Sequence, residues 1–145
     1  MSLDGAYDEA NVFAKILRGE LPSHTVYEDA ETLALMDIMP RADGHVLVIP
    51  KAACRNLFDA PPDALKAVAL TTQKMARAVT AAFGADGVTI QQFNEAAGGQ
   101  VVFHLHVHVM PRHEGVALRP HTGTMEKLHV LMANADKIRD ALDTL

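Results

Sequence analysis

The chain has 145 residues, 49% hydrophobic and 21% charged, the make-up of one ordinary soluble globular domain. Thirteen Lys and Arg against eighteen Asp and Glu leave a net charge of -5, which argues against a sequence-independent nucleic-acid binder with its basic surface. Apolar runs such as 46–50 span a few residues against the roughly 20 of a transmembrane helix, so no membrane partner is expected.

The N-terminus shows no basic stretch leading into an apolar one, so no secretory signal is read there. Cys54 is the single cysteine, which excludes an internal disulfide and points to a reducing, cytoplasmic setting. Residues 1–10 are polar, contain Gly5 and are expected to be flexible. Residues 12–17 predict a short helix, with Phe13, Ile16 and Leu17 on one face, Gly19 as stop and Pro22 beyond. Residues 25–28 and 32–37 predict a hairpin across Glu28-Asp29-Ala30, and 45–50 a β-branched strand after the loop 40–44. Asp59-Ala60-Pro61-Pro62-Asp63 introduces a long helix that Asp59 or Asp63 would cap. Leu65, Val68, Thr72, Met75, Val79, Ala82 and Phe83 follow its period, and Gly84 ends it. A strand at 87–93, a loop at 94–100 and a strand at 101–110 ending at Pro111 come next. In the tail, 112–145, Leu128, Leu131, Met132, Ala135, Ile138 and Leu142 mark an amphipathic helix. The strands come in runs, not in β-α-β alternation. The expected fold is a single α+β domain over 1–145, a five-stranded antiparallel sheet with helices packed on one face.

Five of the eight histidines, His104, His106, His108, His113 and His121, fall close together. In a strand, His104, His106 and His108 project from one face and Phe103, Leu105, Val107 and Val109 from the other. Three imidazoles in a row are a poor choice for a merely solvated sheet face. Two chemistries use such a row: chelation of a metal such as Zn²⁺, and nucleophilic attack on phosphorus by a neutral imidazole flanked by proton donors. The preceding loop favours the second. Gly98-Gly99 lets backbone N–H groups approach an anion, and Gln100 and Asn94 add neutral donors. Cys54 has no paired base in view and reads as a small buried thiol, His113, His121 and His129 as surface histidines, and Arg112 as a surface arginine or a phosphate contact.

His104-Leu105-His106-Val107-His108-Val109-Met110 resembles the His-φ-His-φ-His-φ-φ signature of the histidine triad (HIT) family. Phe13-Ala14-Lys15-Ile16, Glu20-Leu21-Pro22, Asp37-Ile38-Met39-Pro40, His45-Val46-Leu47-Val48-Ile49-Pro50-Lys51 and Asn94 with Gly99-Gln100 extend the resemblance, in family order, over about residues 11–112. The resemblance implies an α+β fold, a homodimer, and nucleotidyl transfer or hydrolysis at an α-phosphate. It implies His106 as the nucleophile that becomes transiently nucleotidylated. His104 and His108 flank it, His108 against phosphate, and His45 lies near the triad. It implies Asn94, Gly99 and Gln100 in the phosphate loop, followed by Val101 and Val102. Asp37 would accept the ribose hydroxyls, while Val12, Phe13, Ile16, Leu35 and Ile38 would enclose a base, a purine by family habit.

Two departures stand out. Val101 occupies a place where many relatives carry Ser or Thr, so a hydroxyl that could assist the leaving group is missing. Asn11 and Ala14 occupy the places of a Cys-x-x-Cys that completes a zinc site in many bacterial relatives with histidines matching His45 and His104. Two histidines are too few for a closed structural site, so neither metal nor other cofactor is expected. The expected function is that of a HIT-type hydrolase or transferase of nucleoside phosphoramidates or dinucleoside polyphosphates. A nucleotide-binding scaffold with weak catalysis and a His-row metalloprotein are the alternatives. The intact triad favours the enzyme, because binding alone needs no nucleophile.

Overall fold

A computed structural model describes residues 5–120 and 123–145. In chain order the elements are α1 (Val12–Leu17), β1 (Thr25–Glu28), β2 (Thr32–Met36), β3 (Val46–Pro50), α2 (Pro62–Phe83), β4 (Gly87–Gln91), a 3₁₀ turn at Ala96–Gly98, β5 (Val107–Arg112) and α3 (Leu128–Asp143). The five strands form one antiparallel sheet in the order β1-β2-β3-β5-β4. Side-chain alternation along β2, β3 and β5 sorts the apolar residues into two sets. Ala34, Met36, Val46, Val48, Val107 and Val109 pack with Val68, Met75 and Val79 of α2 and Leu131, Ala135 and Ile138 of α3. Leu33, Leu35, Leu47 and Ile49 point to the other face, where Phe13, Ile16 and Leu17 of α1 join them. The helices are therefore not all on one face: α1 covers the second face, the one that carries His108.

The described part of the tail matches the expected helix, with a different buried stripe. Leu131, Asn134, Ala135 and Ile138 are buried in α3, whereas Leu128 and Met132 are exposed. Neither expected aspartate caps α2. The helix opens at Pro61-Pro62, where a missing N–H needs no partner. The Asp59 carboxylate instead accepts the backbone N–H groups of Arg55 and Asn56, while Asp63 sits in the first turn. Gly84 ends α2 in the left-handed conformation, as its sequence position predicts. Gly44 (φ +88°) is required twice over, since a Cβ there would meet the Phe83 ring at 2.4 Å.

The strand expected over 101–110 is shorter at its start and longer at its end. Only Val107 onwards is strand, so His104 and His106 lie in irregular chain leading into it. The last β3–β5 pair in that direction is Val48 with Val107. Beyond it, β3 runs into Pro50, whose nitrogen has no hydrogen to donate, and the Pro50 carbonyl accepts the His104 ring Nε2–H at 2.8 Å. At the other end the strand continues through Pro111 to Arg112. There β5 has outrun β3 and pairs with β4 alone, a position that tolerates proline. Among the described residues no helix is long and apolar enough to cross a membrane.

Candidate functional site

His108 projects from β5 opposite Leu47 and Gln91, on the face away from α2 and α3. His45 directly precedes β3 and is fully buried. Their rings meet at 2.9 Å, His45 Nε2 to His108 Nδ1. His45 Nδ1 accepts the Arg41 backbone N–H at 3.1 Å. A backbone amide only donates, so the neutral His45 ring carries its proton on Nε2 and donates it to His108 Nδ1. That in turn places the His108 proton on Nε2. Asp37 sits beside the pair: its Oδ2 lies 3.5 Å from His45 Nε2 and 4.0 Å from His108 Nδ1, while its Oδ1 accepts the Met39 N–H in a turn.

The same reasoning fixes the other two rings. His106 Nδ1 lies 2.7 Å from the His104 carbonyl oxygen, which only accepts, so the proton is on Nδ1 and Nε2 is the basic nitrogen. His104 donates from Nε2 to Pro50, so its Nδ1 accepts from the Tyr7 hydroxyl at 2.6 Å. His104 is completely buried, and burial pushes its pKa below the ordinary histidine value. It is therefore held neutral. The rings form a connected set: His106 to His108 is 5.1 Å between centroids and Phe13 to His106 is 5.0 Å, both edge-on.

The loop before the triad is held by its own side chains. Gln100 is buried: its Oε1 accepts the Glu95 N–H and the Asn56 side-chain amide, and its Nε2 donates to the Arg55 and Val102 carbonyls. Asn94 Oδ1 accepts the Leu57 N–H and the Gln92 side-chain amide. Both amides thus shape the loop from within. Glu95 adopts φ 65° and ψ 163°, a region almost reserved to glycine. Its buried carboxylate accepts from Arg55 Nε at 2.8 Å, Arg55 Nη2 at 2.9 Å and the Asn56 amide at 2.6 Å. The Arg55 guanidinium holds that carboxyl below the usual carboxylate range. Gly99 (φ +99°) turns the chain against Phe93, which in turn lies edge-on to His108 at 5.6 Å.

The remaining expected residues spread around this centre. Phe13 and Leu35 are buried, Ile16 and Val102 pack against them, and Val12, Ile38 and Val101 are exposed. Cys54 is buried and its thiol is pushed up to about 11, mainly by burial, so it is not the thiolate a nucleophile requires. Arg112 is engaged on β4 and beyond, donating to Thr89 Oγ1 and the Val116 carbonyl. His113 and His129 are exposed as expected, and His121 lies outside the described residues. Asp37, His45 and His108 place one potential metal-ligand atom each within 4.8 Å of one another. The Arg41 amide keeps the His45 proton on Nε2, however, so an ion could bind all three only by displacing that proton. Asn11 serves as the N-cap of α1, its side chain accepting the Ala14 N–H.

Sequence reasoning missed Tyr7, Arg55, Asn56, Glu95 and the Arg41 amide. Glu95 left one signal, a carboxylate beside a Gly-Gly loop; the others act across the fold and leave none. Tyr7 lies in the stretch expected to be loosely held, yet its hydroxyl reaches His104.

The HIT domain profile matches residues 18–115. An adenylylsulfatase of Arabidopsis thaliana is 37% identical over 122 residues, 80% of this chain and 62% of that protein, so the chain spans less than two thirds of that relative. A HIT-like protein of Mycobacterium tuberculosis is 41% identical over 114 residues, 79% of each chain. A crystal structure of a HIT-like protein involved in cell-cycle regulation from Bartonella henselae, with an unknown ligand, superposes with a TM-score of 0.90 at 52% identity, covering 94% of this chain and 99% of that one. A zinc-bound histidine triad protein of Mycobacterium smegmatis gives a TM-score of 0.83 at 34% identity, covering 93% and 94%. With the four histidines in this arrangement and the likeness running through most of the chain, the protein belongs to the histidine triad (HIT) family.

Proposed function

We propose that the protein hydrolyses or transfers the nucleotidyl group of a nucleotide conjugate, a nucleoside phosphoramidate or a dinucleoside polyphosphate, through a covalent intermediate on His106. The observation that carries this reading is the 2.7 Å bond from His106 Nδ1 to the His104 carbonyl, which makes Nε2 the nucleophilic nitrogen at neutral pH. In the first step Nε2 attacks the α-phosphorus, the P–N or P–O bond to the leaving group breaks, and the leaving group departs with its electron pair. The His108 Nε2–H, oriented through His45 and the Arg41 amide, donates a hydrogen bond to a phosphate oxygen and stabilises the charge that develops there, while the leaving group takes its proton from water. In the second step water attacks phosphorus, the P–N bond to His106 breaks with its electron pair returning to Nε2, and the proton lost by the water passes to solvent as the nucleotide leaves. The adenylylsulfatase name of the Arabidopsis relative supports chemistry at an adenylyl phosphorus.

Phe13, Ile16, Leu35, Ile38, Val12 and Val102 form the apolar wall for a base, a purine in this reading, and Asp37 the carboxylate for the ribose. Asn94, Gly99, Gln100 and Val101 bring the loop backbone to the phosphate. A homodimer assembled through α2 and the edge strand β4 is part of the proposal, supported by the exposure of Leu70 and Ile90. The test is a panel of nucleotide conjugates, with acid- or denaturant-trapped reactions mapped by mass spectrometry. A nucleotidyl adduct on His106 is the expected result. Tight nucleotide binding without turnover would make the protein a scaffold, and an adduct on any other residue would overturn the mechanism.

A further inference from the structure

We propose that Tyr7 is a positioning residue for the nucleophile, acting through His104. The proposal rests on His106 being the nucleophile, and on four observations of its own. First, the direction of each bond is fixed. The Pro50 carbonyl can only accept, so His104 donates from Nε2 at 2.8 Å, and its Nδ1 accepts from the Tyr7 hydroxyl at 2.6 Å. Tyr7 is thus the donor, and both ring nitrogens of a fully buried imidazole are satisfied. Second, the carbonyl of the same residue, His104, receives the His106 Nδ1–H at 2.7 Å and so sets the orientation and tautomer of the attacking ring. Third, Phe13 stands edge-on to both rings, 6.3 Å from His104 and 5.0 Å from His106, so a tilt of His104 is transmitted to His106 by packing as well as through the backbone.

Fourth, the segment that carries Tyr7 is anchored where a loose terminus would not be. Arg55 Nη1 donates to the Ala6 carbonyl at 3.3 Å, and a Cβ at Gly5 would lie 2.7 Å from Arg55 Cζ. The same guanidinium grips Glu95 through two nitrogens and covers the Phe103 ring at 4.2 Å. One arginine therefore ties the Tyr7 segment to the glycine loop and to the chain that enters the triad. Without the Tyr7 hydroxyl, His104 Nδ1 is left buried without its donor, and the ring must tilt or pick up a proton to satisfy it.

Tyr7→Phe tests this, because it removes one oxygen and keeps the ring contacts with His104. The expected result is a fall in kcat of about ten- to a hundredfold, with KM within about twofold, since Tyr7 orients the attacking ring and contacts no substrate. A ring-nitrogen NMR measurement on the substrate-free protein is the second readout. In wild type His104 Nδ1 and His106 Nε2 give acceptor-type signals. In the variant the His104 signal moves and the His106 tautomer becomes mixed. Unchanged kcat together with unchanged ring-nitrogen signals overturns the proposal, as does a loss carried entirely by KM. The NMR readout needs no turnover. A wild type that forms no His106 adduct but whose ring signals shift on Tyr7→Phe would refute the proposed reaction and leave the positioning contact established.

Discussion

Replacing His106 with alanine separates the chemistry of this site from its packing. The ring is only 8% exposed, and it supplies the Nδ1–H that satisfies the His104 carbonyl. Its loss leaves that buried oxygen without its donor, which costs about 1–3 kcal/mol. The edge contacts with Phe13 and His108 contribute about 0.5–1.5 kcal/mol each beyond their buried area. A destabilisation of about 2–6 kcal/mol follows, a drop in Tm of about 4–24 °C for a chain of this size. The rate effect is distinct. Without the imidazole no covalent intermediate forms, and kcat falls by about 10⁴-fold or more, equivalent to about 5 kcal/mol of transition-state stabilisation. Thermal melts followed by circular dichroism, with turnover measured well below the lowered Tm, read the two quantities separately. A variant that is folded and retains activity within about tenfold of wild type would refute the assignment of the nucleophile.

Stability falls with acidity because burial lowers the pKa of His104. The unfolded chain then binds the proton the native state refuses, so this residue's contribution is complete above about pH 6.5 and shrinks as pH falls, by at most about 1.4 kcal/mol per pH unit. Urea titrations at pH 7.5 and 5.5 should show the loss in wild type and a smaller one in His104→Gln; equal slopes would refute it. Cys54, with its thiol pushed up to about 11, should react with a disulfide reagent at pH 7.5 only on unfolding, and labelling of the native protein at the free-thiol rate would contradict this. Substrates with 2′-deoxyribose should lose about 1–3 kcal/mol of transition-state binding, roughly 5- to 150-fold in kcat/KM, through the carboxylate of Asp37. Asp37→Ala should shrink that discrimination, and equal turnover of the two sugars by wild type would reduce Asp37 to the turn it makes with Met39. Val101→Ser should raise turnover of phosphoramidates more than of polyphosphates, since a hydroxyl helps most when the leaving group is a poor one; a uniform change would remove Val101 from the leaving-group side.

Local pattern alone determined much of this protein. Alternation in 107–109 put Val107 and Val109 on the core face and His108 on the other, because a strand's period of two is set by the backbone itself. The three histidines at alternate positions, the Gly98-Gly99 turn and the stop at Gly84 are likewise written in a few adjacent residues. The end of β3 at Pro50 was legible too; the irregular path of His104 and His106 was not, since it depends on where the neighbouring strand runs out. Nor was the role of Gln100, which the motif offers to phosphate and the fold commits to its own loop. Which nitrogen of each imidazole holds the proton was decided only by tertiary structure. The deciding groups are the Arg41 amide and the Pro50 and His104 carbonyls, and the nitrogen they leave as acceptor on His104 is served by the Tyr7 hydroxyl, 97 residues away. The Arg55 grip on Glu95 likewise joins residues 40 apart. Periodicity reports which face a side chain takes. A proton's position depends on the atom opposite, and that atom is supplied by the fold.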